Sequence, residues 1–181
     1  MLTRTHNNKT YNKGNNVKNV IISFISIDRP GLVDAISNVV RQYKGNWQSS
    51  SLHHMSGFFT GSIEVVIDGT KSAKLIATLK EIEGLECIIK AADHALHLKQ
   101  PSVTLELTAN DREGIIQELS SVIHKQGGNL LKVVSKTETA AHSGQELFKA
   151  IVTVAVDHQH IDELVAAIES LADDLIVEVS R

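Results

Sequence analysis

Nine histidines and a single cysteine are the side chains with the chemistry to hold a metal or attack an electrophile. The nearest pair, His53-His54, falls in a β-rich run, where neighbours point to opposite faces of the strand. Such a pair cannot close on one ion without distortion. His94 and His97 fall in a connecting segment, and His158 and His160 flank a helix start. None has a cysteine or carboxylate at a recurring ligand spacing, so solvated or core roles suit them better. Cys87 sits inside the apolar run Leu85 to Ala92, which predicts a small buried hydrophobe rather than a reactive thiol. No Gly-rich phosphate loop, serine elbow or zinc-protease motif is present. The sequence therefore points to no catalytic residue, no metal site and no cofactor, and the chain is expected not to be an enzyme.

A different set of polar residues does recur. Asp28-Arg29-Pro30-Gly31 closes the apolar run Val20 to Ile27, and Asp111-Arg112-Glu113-Gly114 closes Val103 to Ala109 after Asn110. The offset is 111 − 28 = 83 residues, and it holds without a gap through Gly45 over Gly128 and Asn46 over Asn129. Two elements matching at one offset mark an internal duplication.

Each copy reads as the same series of elements. Val20 to Ile27 is a buried strand. Pro30 suits a first helical position, and Leu32, Val33, Ile36, Val39, Val40 and Tyr43 then recur at helical spacing. Gly45 is the expected left-handed stop. Trp47 to His54 and Phe59 to Ile67 follow as strands joined at Ser56-Gly57, with Phe59, Gly61, Ile63, Val65 and Ile67 on one face. A helix carrying Leu75, Ile76, Leu79 and Ile82 ends at Gly84, and Leu85 to Ala92 is the last strand. Copy two repeats the order as Val103 to Ala109, Ile115 to Lys125, Leu130 to Thr137, Gln145 to Val156, Ile161 to Leu171 and Leu175 to Val179. Its hairpin connection, Thr139 to Gly144, is longer and expected to be mobile. The order βαββαβ predicts an α+β fold, two ferredoxin-like modules with antiparallel four-stranded sheets and both helices on one face. Side-by-side pairing of the copies would protect sheet edges.

Composition narrows the function classes. Residues 1–17 are expected to be a disordered tail, 18–98 the first module and 99–181 the second, with Asp93 to Pro101 the linker. Modules this small have marginal cores alone. With only 4% aromatics among 42% hydrophobic residues, the cores must be mostly Val, Ile, Leu and Ala. A net charge of −3 argues against a broad nucleic-acid surface. No stretch is apolar and long enough for a membrane span. Met1 to Asn16 lacks the apolar centre of a secretion signal, so a cytoplasmic location is expected.

With these motifs in place, both halves resemble ACT domains, ligand-sensing modules of amino-acid metabolism. Two such modules with little else are similar to the glycine cleavage system transcriptional repressor family. The resemblance covers residues 18 to 181. It implies an amino-acid effector, with glycine foremost, held at an interface between modules by Asp28, Arg29, Pro30, Gly31 and Asn46, and by Asp111, Arg112, Gly114 and Asn129. The chemistry is coherent. A helix start offers unpaired N–H groups and a positive dipole end to a carboxylate. Gly31 and Gly114 permit close approach of a ligand, and Asp28 or Asn46 could accept from an ammonium.

Plainer roles fit the same residues. Asp28 and Asp111 suit helix capping, Pro30 and Gly31 the turn alone, and Asn46 and Asn129 the entry to strand two. Glu113 departs from the pattern, replacing Pro and adding negative charge where a carboxylate would dock. Trp47 could narrow a pocket, although a core role suits it better. The resemblance thus implies a transcriptional regulator that binds an amino acid and a protein partner, a transcription factor, without contacting DNA, and that can form homo-oligomers through its modules. A regulatory subunit of an amino-acid biosynthetic enzyme is the alternative, and a small enzyme on a ferredoxin-like scaffold the third.

Overall fold

The computed structural model describes residues 17–92, 101–141 and 143–180. The expected tail, apart from Val17, lies outside the described residues, as do His94, His97 and the linker up to Gln100. The chain divides into two compact units, Met1–His97 and Leu98–Arg181.

The first unit runs β1 (Val17–Ile27), α1 (Leu32–Gln42), β2 (Asn46–Met55), β3 (Phe58–Asp68), α2 (Gly69–Lys80) and β4 (Glu86–Ala92). The second runs β5 (Ser102–Asn110), α3 (Ile115–Lys125), β6 (Asn129–Thr139), β7 (Glu146–Ala155), α4 (Ile161–Glu169) and β8 (Ile176–Ser180), with a 3-10 turn, His158–His160, leading into α4. Their sheets have the orders β2-β3-β1-β4 and β6-β7-β5-β8, and all neighbours are antiparallel. Both units therefore have the expected ferredoxin-like architecture.

Alternation along the strands makes the cores. Val20, Ile22 and Phe24 of β1 face the same side as Ile63, Val65 and Ile67 of β3. Leu32, Ile36 and Val40 of α1 and Leu75 and Leu79 of α2 close over them as one buried cluster. The second unit repeats this with Leu105, Val152, Leu119, Leu164 and Ile168. Both helices thus cover one face of each sheet. Val33 turns outward instead of joining the α1 stripe. Asp68 starts α2 by accepting from Thr70 N at 2.9 Å, and its bonds to Thr70 hold its carboxyl below the usual range.

Four expectations need correction. Pro30 is not a helical residue: α1 begins at Leu32, and Gly31 stands at its N-cap in the left-handed region. Gly45 is not the left-handed stop, because Lys44 takes that conformation with φ 58°. Gly45 is instead a packing glycine, since a Cβ there would lie 2.9 Å from Val65 Cγ1 and 3.1 Å from Val40 Cγ1. In the second unit two glycines divide these tasks, with Gly127 left-handed at φ 73° and Gly128 packed against Val154 and Ile123. Cys87 is only half-buried, though it does pack against the core and burial raises its pKa. β6 also extends to Thr139, two residues beyond its expected end, and the turn is closed by Ala140 N to Gln145 O at 2.8 Å.

Lys44 carries a left-handed cost that Gly127 does not. Lys44→Gly is expected to raise stability by about 0.5–1 kcal/mol, read as a higher urea midpoint at unchanged slope. A lower midpoint would mean that the lysine side chain supports the turn.

Candidate functional site

The duplicated motif folds into the same turn twice. Gly31 has φ 83° and ψ 2°, and Gly114 has φ 83° and ψ −1°, the values of the third residue of a type II turn. Glycine is required there by conformation rather than by space, since a Cβ at either position would meet nothing within 4 Å. Pro30 suits the second position of such a turn, and Glu113 occupies it in the second unit without altering the glycine geometry. The helices start from these glycines, with Ala35 N donating to Gly31 O at 2.9 Å and Glu118 N to Gly114 O at 3.0 Å. The N–H groups preceding them have no intrahelical acceptor.

The aspartates do not cap the helices, because neither N-cap has a side-chain hydrogen bond. Both instead stand beside the hairpin. Asp28 N donates to Gly57 O at 3.0 Å, and Asp111 N to Glu146 O at 2.9 Å. His54 Nε2 is 3.8 Å from the Asp28 carboxylate, and Thr137, the residue 83 positions after His54, donates to Asp111 Oδ2 at 3.4 Å. The arginines differ. Arg29 Nη2 donates to Glu83 O at 2.8 Å, in the turn after α2. Arg112 Nη1 lies 2.6 Å from Glu118 Oε2 on the first turns of α3.

Asn46 and Asn129 are exposed first residues of β2 and β6. Asn46 pairs with Val66, which pairs with Asn19 near the start of β1, whereas Asp28 follows the end of β1. Nine residues of extended chain, roughly 30 Å, separate those rows. One unit alone therefore holds the helix-start turn and the asparagine at opposite ends of its sheet. In the second unit an open groove of about 870 Å³ is lined by Asp111, Arg112, Gly114, Ser120, His124 and Thr137, among others. Asn129 lies in a separate groove of about 280 Å³ with Gly127 and Asp157.

The remaining polar side chains fall elsewhere. His53 faces Ser51 Oγ at 2.9 Å, while His54 turns to the Asp28 side, so the two histidines occupy opposite faces of β2. Among the described residues, no three His, Cys, Asp or Glu side chains gather to hold a metal. Trp47 packs against the core. Lys136 and Lys149 hold the Glu138 carboxyl down to about 2. They lie on the opposite side of β6 from Thr137, which leaves Arg112 and His124 as the groove's basic side chains. Glu118 escaped the motif reading because it lies one helical turn beyond the Asp-Arg-Glu-Gly motif. Laying the copies over one another reveals it, since its counterpart is Ala35.

A family model described as the ACT domain matches residues 99–181. An unknown protein from Galdieria sulphuraria shares the fold with a TM-score of 0.75 at 24% identity, over 91% of this chain and 98% of that one. A "putative glycine cleavage system transcriptional repressor" does so with a TM-score of 0.65 at 16% identity, over 91% and 96% of the two chains. At these identities the likeness is one of fold. No curated protein matches in sequence. Among the described residues no helix is long and apolar enough to cross a membrane.

Proposed function

We propose, for a tandem ACT-domain protein whose second unit matches the family model and whose first repeats its fold, an amino-acid-responsive regulator. Its target is transcription of glycine cleavage, reached through contact with a transcription factor rather than through DNA. The observation that carries this reading is the repeated turn, in which an arginine precedes a left-handed glycine and a helix start twice in one chain. That combination suits the carboxylate of a free amino acid. The transcriptional role is suggested by the fold shared with the repressor-like structure. The net charge of −3 favours a protein partner over nucleic acid. Regulation would work by linkage: amino acid and partner favour different states of the protein, so each changes the other's affinity.

A thermal-shift screen of the twenty amino acids tests the sensor. An effector at about a hundred times its Kd should add roughly 2.7 kcal/mol of stability, and Asp28→Asn or Asn46→Ala should reduce that gain if these residues touch it. No shift across the panel would remove the amino acid from the reading. Capture of a biosynthetic enzyme from lysate, in place of a transcription factor, would overturn the transcriptional part.

A further inference from the structure

The two helix-start turns have diverged in what holds their arginine. In the first unit Arg29 is bound to a neutral acceptor, the Glu83 carbonyl. In the second, Arg112 is paired with a carboxylate, Glu118, at 2.6 Å. The position of Glu118 is occupied by Ala35 in the first copy (118 − 83 = 35), so the first turn has no such competitor. Arg112 also lines the 870 Å³ groove beside α3, and its guanidinium is the groove's permanent positive charge. The pair is reachable, with the two side chains 34% and 38% exposed.

Glu118 occupies Nη1 and offsets the guanidinium charge, so an incoming carboxylate meets fewer free N–H donors and a weaker attraction unless it displaces Glu118. We propose that Glu118 is an internal competitor in the second unit, holding Arg112 in an autoinhibitory pair that the carboxylate of an incoming amino acid must displace. This rests on the amino-acid-sensor reading and adds a difference between the copies. Removing Glu118 restores the residue type of the first copy and frees Arg112 for the ligand. With the pair intact, the second unit is set to respond at higher amino-acid concentration than its own turn would otherwise require. The gain is modest, because a partly exposed ion pair is worth little in water.

The test titrates each of the twenty amino acids, and the carboxamide of the tightest binder, into the full chain and its Glu118→Ala and Arg112→Gln variants by calorimetry. The expected result is about threefold tighter binding of the amino acid to Glu118→Ala. The carboxamide, which lacks the competing carboxylate, should bind both proteins alike, and Arg112→Gln should weaken the amino acid. Glu169→Gln, an equal change of charge on α4, controls for the general field. Unchanged or weaker binding to Glu118→Ala, with the unaltered protein binding normally, would overturn the competitor and leave the sensor standing. Equal tightening for the carboxamide would overturn it as well. No binding by any of the proteins would overturn the sensor itself and the competitor with it.

Discussion

Leu75→Ala is expected to lower the stability of the first unit by about 3–4 kcal/mol, and Leu164→Ala to do the same in the second. Both leucines are 0% exposed, and they occupy corresponding positions on α2 and α4. Each removal deletes transfer energy and leaves a cavity whose walls are two helices and a sheet, which cannot easily collapse. Small domains have only about 5–15 kcal/mol of net stability, so either change is a large fraction of what holds its unit together. In the first unit the consequence reaches the candidate site. The turn after α2 supplies the Glu83 carbonyl that holds Arg29, and that turn is placed by the packing of Leu75 and Leu79. Urea unfolding followed by far-UV circular dichroism measures the loss. A change below about 1 kcal/mol in either variant would mean that its second helix is not anchored as described.

The architecture was legible because hydrophobic period and duplication reinforced each other. The alternation Phe59, Ile63, Val65, Ile67 identified β3 and its inward face, and the constant offset of 83 residues carried the same topology onto the second half. Less legible were features governed by a single backbone angle or a single contact. Lys44 and Gly45 form an ordinary helix stop in sequence, and only the packing of Val40 and Val65 shows which residue bends and which makes room. The aspartates resembled helix caps because an acidic residue before a helix usually is one. Here the left-handed glycine intervenes at the N-cap and carries the carboxylates out to the hairpin. The Arg112–Glu118 pair bridges a turn and a helix, so no periodicity announces it. The separation of Asn46 from Asp28 was also hidden, because residues that lie 18 positions apart are carried away by a strand-length crossover and return at the far end of the sheet.

Gly61→Ala is the sharpest test of strand spacing beside that first site, and a loss of about 2–3 kcal/mol is expected. Gly61 pairs with Leu52 on one side and Phe24 on the other. A Cβ there would collide with the Ser51 carbonyl oxygen and lie 2.8 Å from Leu52 Cδ2 and 2.9 Å from Leu52 Cα. A leucine methyl can rotate away, but the Ser51 carbonyl and Leu52 Cα are backbone, so relief requires moving β2 itself. That strand is an edge and carries an irregularity between Trp47 and Ser49, which limits the cost below that of a central strand. The second unit supplies the internal contrast. Its β7 is displaced in the alignment by the longer hairpin, so the residue matching Gly61 is Ala150 (150 − 61 = 89), which is buried and paired with Ser135. The same fold thus accepts a Cβ where the neighbouring strand leaves room. Ala150→Gly should therefore cost only about 0.5–1 kcal/mol, the ordinary penalty of glycine in a strand. Urea midpoints of the two variants distinguish the cases: equal small losses would show that β2 yields freely. In that event Met55, Gly57 and the Asp28 turn bonded to it would be less firmly placed than the hairpin geometry implies.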